Sequence, residues 1–256
     1  MRILAVGDVI ARPGREYVAR CLREIIRRYG VDLCIVNGEN AAGGRGINRE
    51  SYELLMDAGA DVITLGNHTW DNREVISLFD DGCSLVRPAN YPPSAHGNGY
   101  LVYDMGKYCV CVISLMGRVG MDALDCPFRT ADRILEECGC KMVVVDFHAE
   151  ATSEKQAMGY YLDGRVSAIF GTHTHVQTAD ERILPGGTGY LTDVGMTGVI
   201  QSVIGMKVEN SVARFVTKTP HRYEVALGAV MFNGILFDVD PKTGHTTGIE
   251  RLFIRE

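Results

Sequence analysis

Apolar positions in this chain fall into short continuous runs that stop on polar residues, separated by stretches with helical spacing. Arg2–Gly7 is the first run, and it stops at Gly7-Asp8. Pro13 then suits the first position of a helix. Tyr17, Cys21, Leu22, Ile25, Ile26 and Tyr29 recur at the spacing of one helical face as far as Gly30. Leu33–Val36 is a second buried run, closed by Asn37-Gly38-Glu39-Asn40. A glycine-rich loop, Gly43-Gly44-Arg45-Gly46, leads to a predicted helix over Arg49–Ala58. Val62–Leu65 is a third run that stops at Gly66-Asn67-His68, and another helix is expected over Arg73–Phe79. This β-α-β-α-β-α order with short connections predicts a largely parallel first sheet.

Near residue 81 the rhythm changes. Arg87-Pro88-Ala89-Asn90-Tyr91-Pro92-Pro93 reads as a stiff loop, and Tyr100–Tyr103 with Tyr108–Leu115 as a hairpin around Gly106-Lys107. A loop over Met116–Arg129 precedes a helix over Thr130–Glu137. Met142–Phe147 is a buried run that stops at His148, and a helix over Ser153–Leu162 leads to the run Val166–Phe170. That run ends in Gly171-Thr172-His173-Thr174-His175. If the backbone stays extended there, His173 and His175 face the same way, since strand side chains alternate with period two. The remainder reads mostly as strand, with one helix near Asn210–Val216 and closing strands near Glu224–Asp238 and Gly248–Ile254. Without a repeat, low-complexity segment or linker, residues 1–256 are expected to form one domain: two sheets with helices on their outer faces.

Composition narrows the class. Hydrophobic residues make up 46% and charged residues 23% of the 256, as in a globular protein with a full core. Net charge is −6 and the arginines are scattered, so no basic stripe offers a nucleic-acid groove. No apolar run approaches membrane-spanning length, and the Ile3–Val6 run is too short for a signal peptide. The eight cysteines include no Cys-x-x-Cys pair. They are expected to be packed thiols, with neither disulfides nor a zinc site, which places the chain in a reducing cytoplasm.

The candidate chemistry lies where the runs end. Asp8, Glu39-Asn40, Asn67-His68, His148, and His173 with His175 each close an apolar run, and these ends hold four of the seven histidines. Loops at the carboxyl ends of parallel strands converge on one edge, where ligands bind. Each residue alone has an ordinary explanation: Asp8 as a helix cap, Asn67 in a turn, His148 hydrogen-bonded in the core. Glu39 fits such an explanation least, because an unpaired carboxylate at the end of a buried strand is costly. Together they supply more nitrogen and oxygen ligands than one metal needs, and mixed ligation without thiolate suits iron, manganese or zinc. Two ions ~3.5–4 Å apart clamp both the attacking and the leaving oxygen of a phosphoryl transfer. Asp146 shares strand parity with His148 and reads as a supporting residue. His96, His221 and His245 read as solvated.

In order and spacing, Gly7-Asp8, Gly38-Glu39-Asn40, Gly66-Asn67-His68, His148 and Gly171-Thr172-His173-Thr174-His175 resemble the calcineurin-like metallophosphoesterase superfamily. Two departures point to a branch: Asp8-Val9-Ile10 lacks the usual histidine, and Glu39 stands where most members carry aspartate. With Gly66–Asp71, Arg87–Asn90, Asp146–Glu154 and Thr192–Gly198, the chain resembles the bacterial YmdB-like phosphodiesterases over nearly its whole length. The resemblance implies a four-layer αββα sandwich of two mixed sheets, with a two-metal centre commonly assigned as iron. It implies that Asp8, Asn40 and His175 hold one metal, that Asn67, His148 and His173 hold the other, and that Glu39 bridges them. His68 is implied as the proton donor to the leaving oxygen. The implied reaction is hydrolysis of phosphodiesters, 2′,3′-cyclic nucleotides to 3′-nucleotides. The chain is expected to be a cytoplasmic homo-oligomer without stable nucleic-acid or membrane partners.

Two other readings compete: a phosphomonoesterase or nucleotidase on the same centre, and a regulatory protein that binds a nucleotide and turns over slowly. A dianionic monoester would favour extra cations near the metals, for which Arg45, Arg49 and Arg118 are the candidates. No aromatic cluster or bidentate base reader is evident near the motifs, so little discrimination between purines is expected.

Overall fold

The computed structural model describes residues 1–256. The first half builds β1 (Arg2–Val6), β2 (Asp8–Val9), α1 (Ala11–Tyr29), β3 (Leu33–Asn37), α2 (Arg49–Ala58), β4 (Val62–Thr64), α3 (Glu74–Asp80) and β5 (Leu85–Val86). The β1, β3, β4 and β5 strands pair parallel in that order, as the short crossovers require. The chain then moves to a second sheet through β6 (Tyr100–Asp104), β7 (Cys109–Met116), α4 (Pro127–Glu137), β8 (Met142–His148), α5 (Thr152–Leu162), β9 (Ala168–Thr172), β10 (Arg182–Ile183) and β11 (Gly189–Leu191). Its β7, β8, β9 and β11 run parallel, while the β6–β7 hairpin is antiparallel. Finally β12 (Met196–Val199), α6 (Val208–Thr217), β13 (Val230–Val239) and β14 (Thr246–Arg255) return to the first sheet. There β13 lies antiparallel to β1, which makes that sheet mixed.

Strand alternation sorts the core into three layers. Leu4 and Val6 of β1 face α1 and α2, packing with Val18, Leu22 and Leu55. Ile3 and Ala5 face the other way, into a layer between the sheets with Val110, Val112, Val144 and Phe170. On the far side Cys111, Ile113, Val143 and Val145 meet Ile134 of α4 and Met158 of α5. The order is helix, sheet, sheet, helix, as expected. No helix is long and apolar enough to cross a membrane.

Several expectations are corrected. Helix α1 begins at Ala11, two residues before Pro13, and α4 begins at Pro127, whose ring fits the first helical turn. Residues 224–229 stay outside β13. The cysteines are not all free: Cys109 and Cys140 form a disulfide with Cα atoms 5.9 Å apart. The parallel register pairs Val110 with Met142, and so brings Cys109, which opens β7, near Cys140, two residues before β8. That proximity comes from strand pairing across a whole helix, and local cysteine spacing cannot reveal it.

Candidate metal centre

The carboxyl ends of β1, β3 and β4 in one sheet meet those of β8 and β9 in the other. Gly66 makes the meeting close: a Cβ there would lie 2.3 Å from the His148 ring and 2.4 Å from Glu39 Oε2. Asp8, Glu39, Asn40 and His148 are all buried at this junction.

Around His148 the polar atoms are too many for proton-mediated pairing. Its Nε2 lies 2.8 Å from Asn67 Oδ1, 3.0 Å from Glu39 Oε1 and 3.1 Å from His173 Nδ1. One ring nitrogen carries at most one proton, so it cannot satisfy three such neighbours. The ligand atoms of Glu39, His148 and His173 all lie within 4.8 Å of one another, a grouping able to hold a metal ion. Beside it, Asp8 Oδ2 accepts from the His173 backbone N–H at 3.3 Å, and Asp8 Oδ1 sits 3.7 Å from His175 Nε2. Asp8 Oδ1 and Asn40 Oδ1 are buried without a hydrogen-bond partner. Leaving such atoms unmet costs about 1–3 kcal/mol each, and a cation is the kind of partner such oxygens accept.

The three imidazoles are each held from behind. His148 Nδ1 is 2.8 Å from Thr172 Oγ1, His173 Nε2 is 3.1 Å from Glu150 Oε2, and His175 Nδ1 is 3.1 Å from the Ile204 carbonyl. An acceptor on the outer nitrogen fixes the tautomer and turns the inner lone pair toward the centre, the usual support of a metal-ligating histidine. Thr172 is itself oriented, donating to Asp146 at 2.6 Å, and Asp146 also accepts from Thr64 and Asn37. Asp146 is thus the supporting residue its strand parity suggested.

Charge in the ion-free chain follows the same geometry. Burial would depress His148, but the Glu39 carboxylate outweighs it and raises the ring to about 9. Burial works against the Glu39 carboxylate too, and the His148 charge and hydrogen bond reverse this, holding it well below its usual range. Burial raises the Asp8 carboxyl, with His175 and His148 opposing. His173 falls to about 3, through burial first and then the nearby His148 charge. A proton on His148 therefore stands where a cation would balance Glu39.

The histidine pair departs from the extended path expected of it. Strand β9 runs to Thr172, after which His173 (φ 95°) and His175 (φ 64°) adopt left-handed backbone. Those turns, and not period-two alternation, aim the two rings at His148 and Asp8. Such conformations cost about 1–3 kcal/mol each for non-glycine residues, and a buried ion pair holds them. Lys155, 1% exposed, donates to Asp193 at 2.6 Å and to the Thr172 carbonyl at 2.7 Å. Asp193 also accepts from the Thr174 backbone and hydroxyl. Lys155→Met is expected to cost about 3–5 kcal/mol, as breaking a buried pair does. Urea titration at constant m-value measures it, and a loss below about 1 kcal/mol would mean that the pair does not clamp the loop.

Asn67 and His68 lie in a turn, and their side chains diverge. Asn67 points to His148, whereas His68 Nδ1 pairs with Asp71 Oδ2 at 2.9 Å. His68 lines a cavity of about 350 Å³ with Asn40, Arg45, His175, Met206 and Tyr223. Of the three candidate arginines only Arg45 reaches it: Arg49 is paired with Asp81, and the Arg118 side chain lies 3.7 Å from Cys126 Sγ. Sequence reasoning missed Lys155 and Tyr223. Lys155 hides in a polar helical start, and Tyr223 lies in a segment without periodicity.

Known proteins match this chain along its whole length. The profile of the YmdB-like protein family matches residues 4–252. The 2′,3′-cyclic-nucleotide 2′-phosphodiesterase of Bacillus subtilis is 46% identical, the alignment covering 100% of this chain and 98% of that protein. A crystal structure of a protein from Thermus thermophilus superposes with a TM-score of 0.95 at 47% identity, covering 100% of both chains. A phosphatase structure from Mycoplasma pneumoniae gives a TM-score of 0.95 at 36% identity, covering 100% of this chain and 93% of that one.

Proposed function

The chain belongs to the YmdB-like family, and on that premise we propose that it is a metal-dependent phosphodiesterase that opens 2′,3′-cyclic nucleotides to 3′-nucleotides, with residues 1–256 as one catalytic unit. The observation that carries this reading is the set of three backed imidazoles facing two unpartnered buried oxygens across Glu39. Asp8, Asn40 and His175 would hold one ion and Asn67, His148 and His173 the other, with Glu39 between them. Iron suits the nitrogen and oxygen donors, as do manganese and zinc. When bound, such a pair supplies Lewis acidity toward the phosphoryl oxygens and hydroxide at neutral pH.

The chain's own residues do the rest. His68 has Asp71 on Nδ1, which leaves Nε2 for the cavity. As a hydroxide derived from water bonds to phosphorus and the bond between phosphorus and O2′ breaks, His68 passes its proton to O2′, leaving a 2′-hydroxyl and a 3′-phosphate. The presence of one arginine rather than three at the cavity favours a monoanionic diester over a dianionic monoester. With 2′,3′-cyclic AMP the expected product is 3′-AMP, read by phosphorus NMR, while simple monoesters are spared. Rapid monoester hydrolysis with the cyclic diester left intact would replace this reading by a monoesterase.

A further inference from the structure

We propose that the cavity beside the metal centre is a nucleobase subsite whose recognition element is Tyr223; this deepens the phosphodiesterase reading and rests on it. The long excursion between β12 and β13 carries Ile204, Met206 and Tyr223 to one wall of the cavity, and the Gly43-Gly44-Arg45 loop forms another. His68, His175 and Asn40 lie at the metal side. A ligand with its phosphate at the metals would therefore extend its remaining part toward Tyr223. The volume, about 350 Å³, is within the usual range for small-ligand sites.

Tyr223 is fixed where it stands. Its neighbours are anchored on both sides: Asn210 donates to the Arg222 carbonyl at 3.1 Å, and Lys207 pairs with the Glu224 carboxylate. The Lys207 N–H also bonds to the Glu224 carbonyl at 2.8 Å. Bridges from Met206 to Val203 and to Val225 tie down the same excursion. On the facing loop, Gly44 (φ 99°) would place a Cβ 3.2 Å from Met206 Cε, so its bare backbone lets that loop close against the thioether. The Tyr223 ring has Arg214 4.7 Å and Arg45 5.8 Å from its centroid, yet the residue is 49% exposed. A half-open aromatic ring with guanidinium groups over it suits a planar base carrying an anionic sugar phosphate.

Stacking reads the face of a base and not its edge, so every base is accepted and a base-free ester is disfavoured. The ring lies away from the bond that breaks, so its contribution should be equal in ground and transition states and appear in KM, with kcat little changed. The test compares 2′,3′-cyclic AMP with methyl riboside 2,3-cyclic phosphate, in the unmodified enzyme, Tyr223→Ala and Tyr223→Phe. Calorimetry of 3′-AMP against ribose 3-phosphate adds a readout independent of turnover.

The unmodified enzyme should favour the nucleotide. Tyr223→Ala should raise its KM about 5- to 100-fold and erase most of that preference, and Tyr223→Phe should restore it. Because the side chain is half-exposed, neither variant should shift the melting temperature much. If the unmodified enzyme treats both esters alike, or Tyr223→Ala keeps the preference in both KM and binding, the subsite is overturned and the phosphodiesterase reading stands. If the unmodified enzyme opens neither cyclic ester, the reading itself fails and the subsite with it.

Discussion

Purified His148→Ala protein is expected to have lost most of its metal and to turn over cyclic diesters slower by on the order of 10³-fold or more. His148 Nε2 is the atom on which Asn67, Glu39 and His173 converge, and no neighbouring side chain can take its place. Its removal acts twice. The ion loses an imidazole, and the ion-free chain loses the group whose charge keeps the buried Glu39 carboxylate ionised. Metal content by plasma emission and turnover should fall together. Wild-type protein stripped by chelator supplies the comparison: it should be as inactive as the variant and should recover on metal addition, whereas His148→Ala should not. Full activity in metal-free His148→Ala protein would remove this centre from the mechanism.

The ligands at the strand ends could be read from sequence for a physical reason. Asp8, Glu39, Asn67 and His148 each follow a run of buried residues by a few positions at most, and parallel strands deliver such positions to one edge. What the residues could not disclose depends on contacts between distant segments. The outward-facing acceptors that set the three imidazoles come from β9, from the residue after His148's neighbour, and from the excursion beyond β12. Alternation in Thr172-His173-Thr174-His175 looks like strand, but the backbone turns left-handed at both histidines because Asp193 and Lys155 hold Thr174 and Thr172 from below. Lys155 reads as a solvated lysine at a helix start, since nothing local announces a buried carboxylate 38 residues later. Tyr223 escaped for the same reason: its place in the cavity depends on Lys207 and Asn210 anchoring its neighbours, which are pairings between chain segments.

Replacing His68 by alanine should separate proton delivery from metal binding. The side chain makes no hydrogen bond or ion pair with the His148 cluster; what bonds to the cluster from residue 68 is its backbone N–H, donated to Glu39 Oε2 at 3.1 Å. Alanine keeps that N–H, so His68→Ala is expected to retain the metal content of the unmodified protein. The lost imidazole is the group that faces the cavity with Asp71 behind it. An alkoxide is a poor leaving group unless it is protonated as the ester bond breaks, and loss of a general acid typically slows such a step by about 10²–10⁴-fold. Hydrolysis of 2′,3′-cyclic AMP should fall within that range. A nitrophenyl diester, whose leaving group is stable as the anion, should suffer much less. Paired kcat measurements on the two esters, with metal content determined on the same samples, decide the matter. An equal loss on both would mean that His68 serves binding or structure. A large loss confined to the unactivated ester, with metal retained, is the result expected of a proton donor.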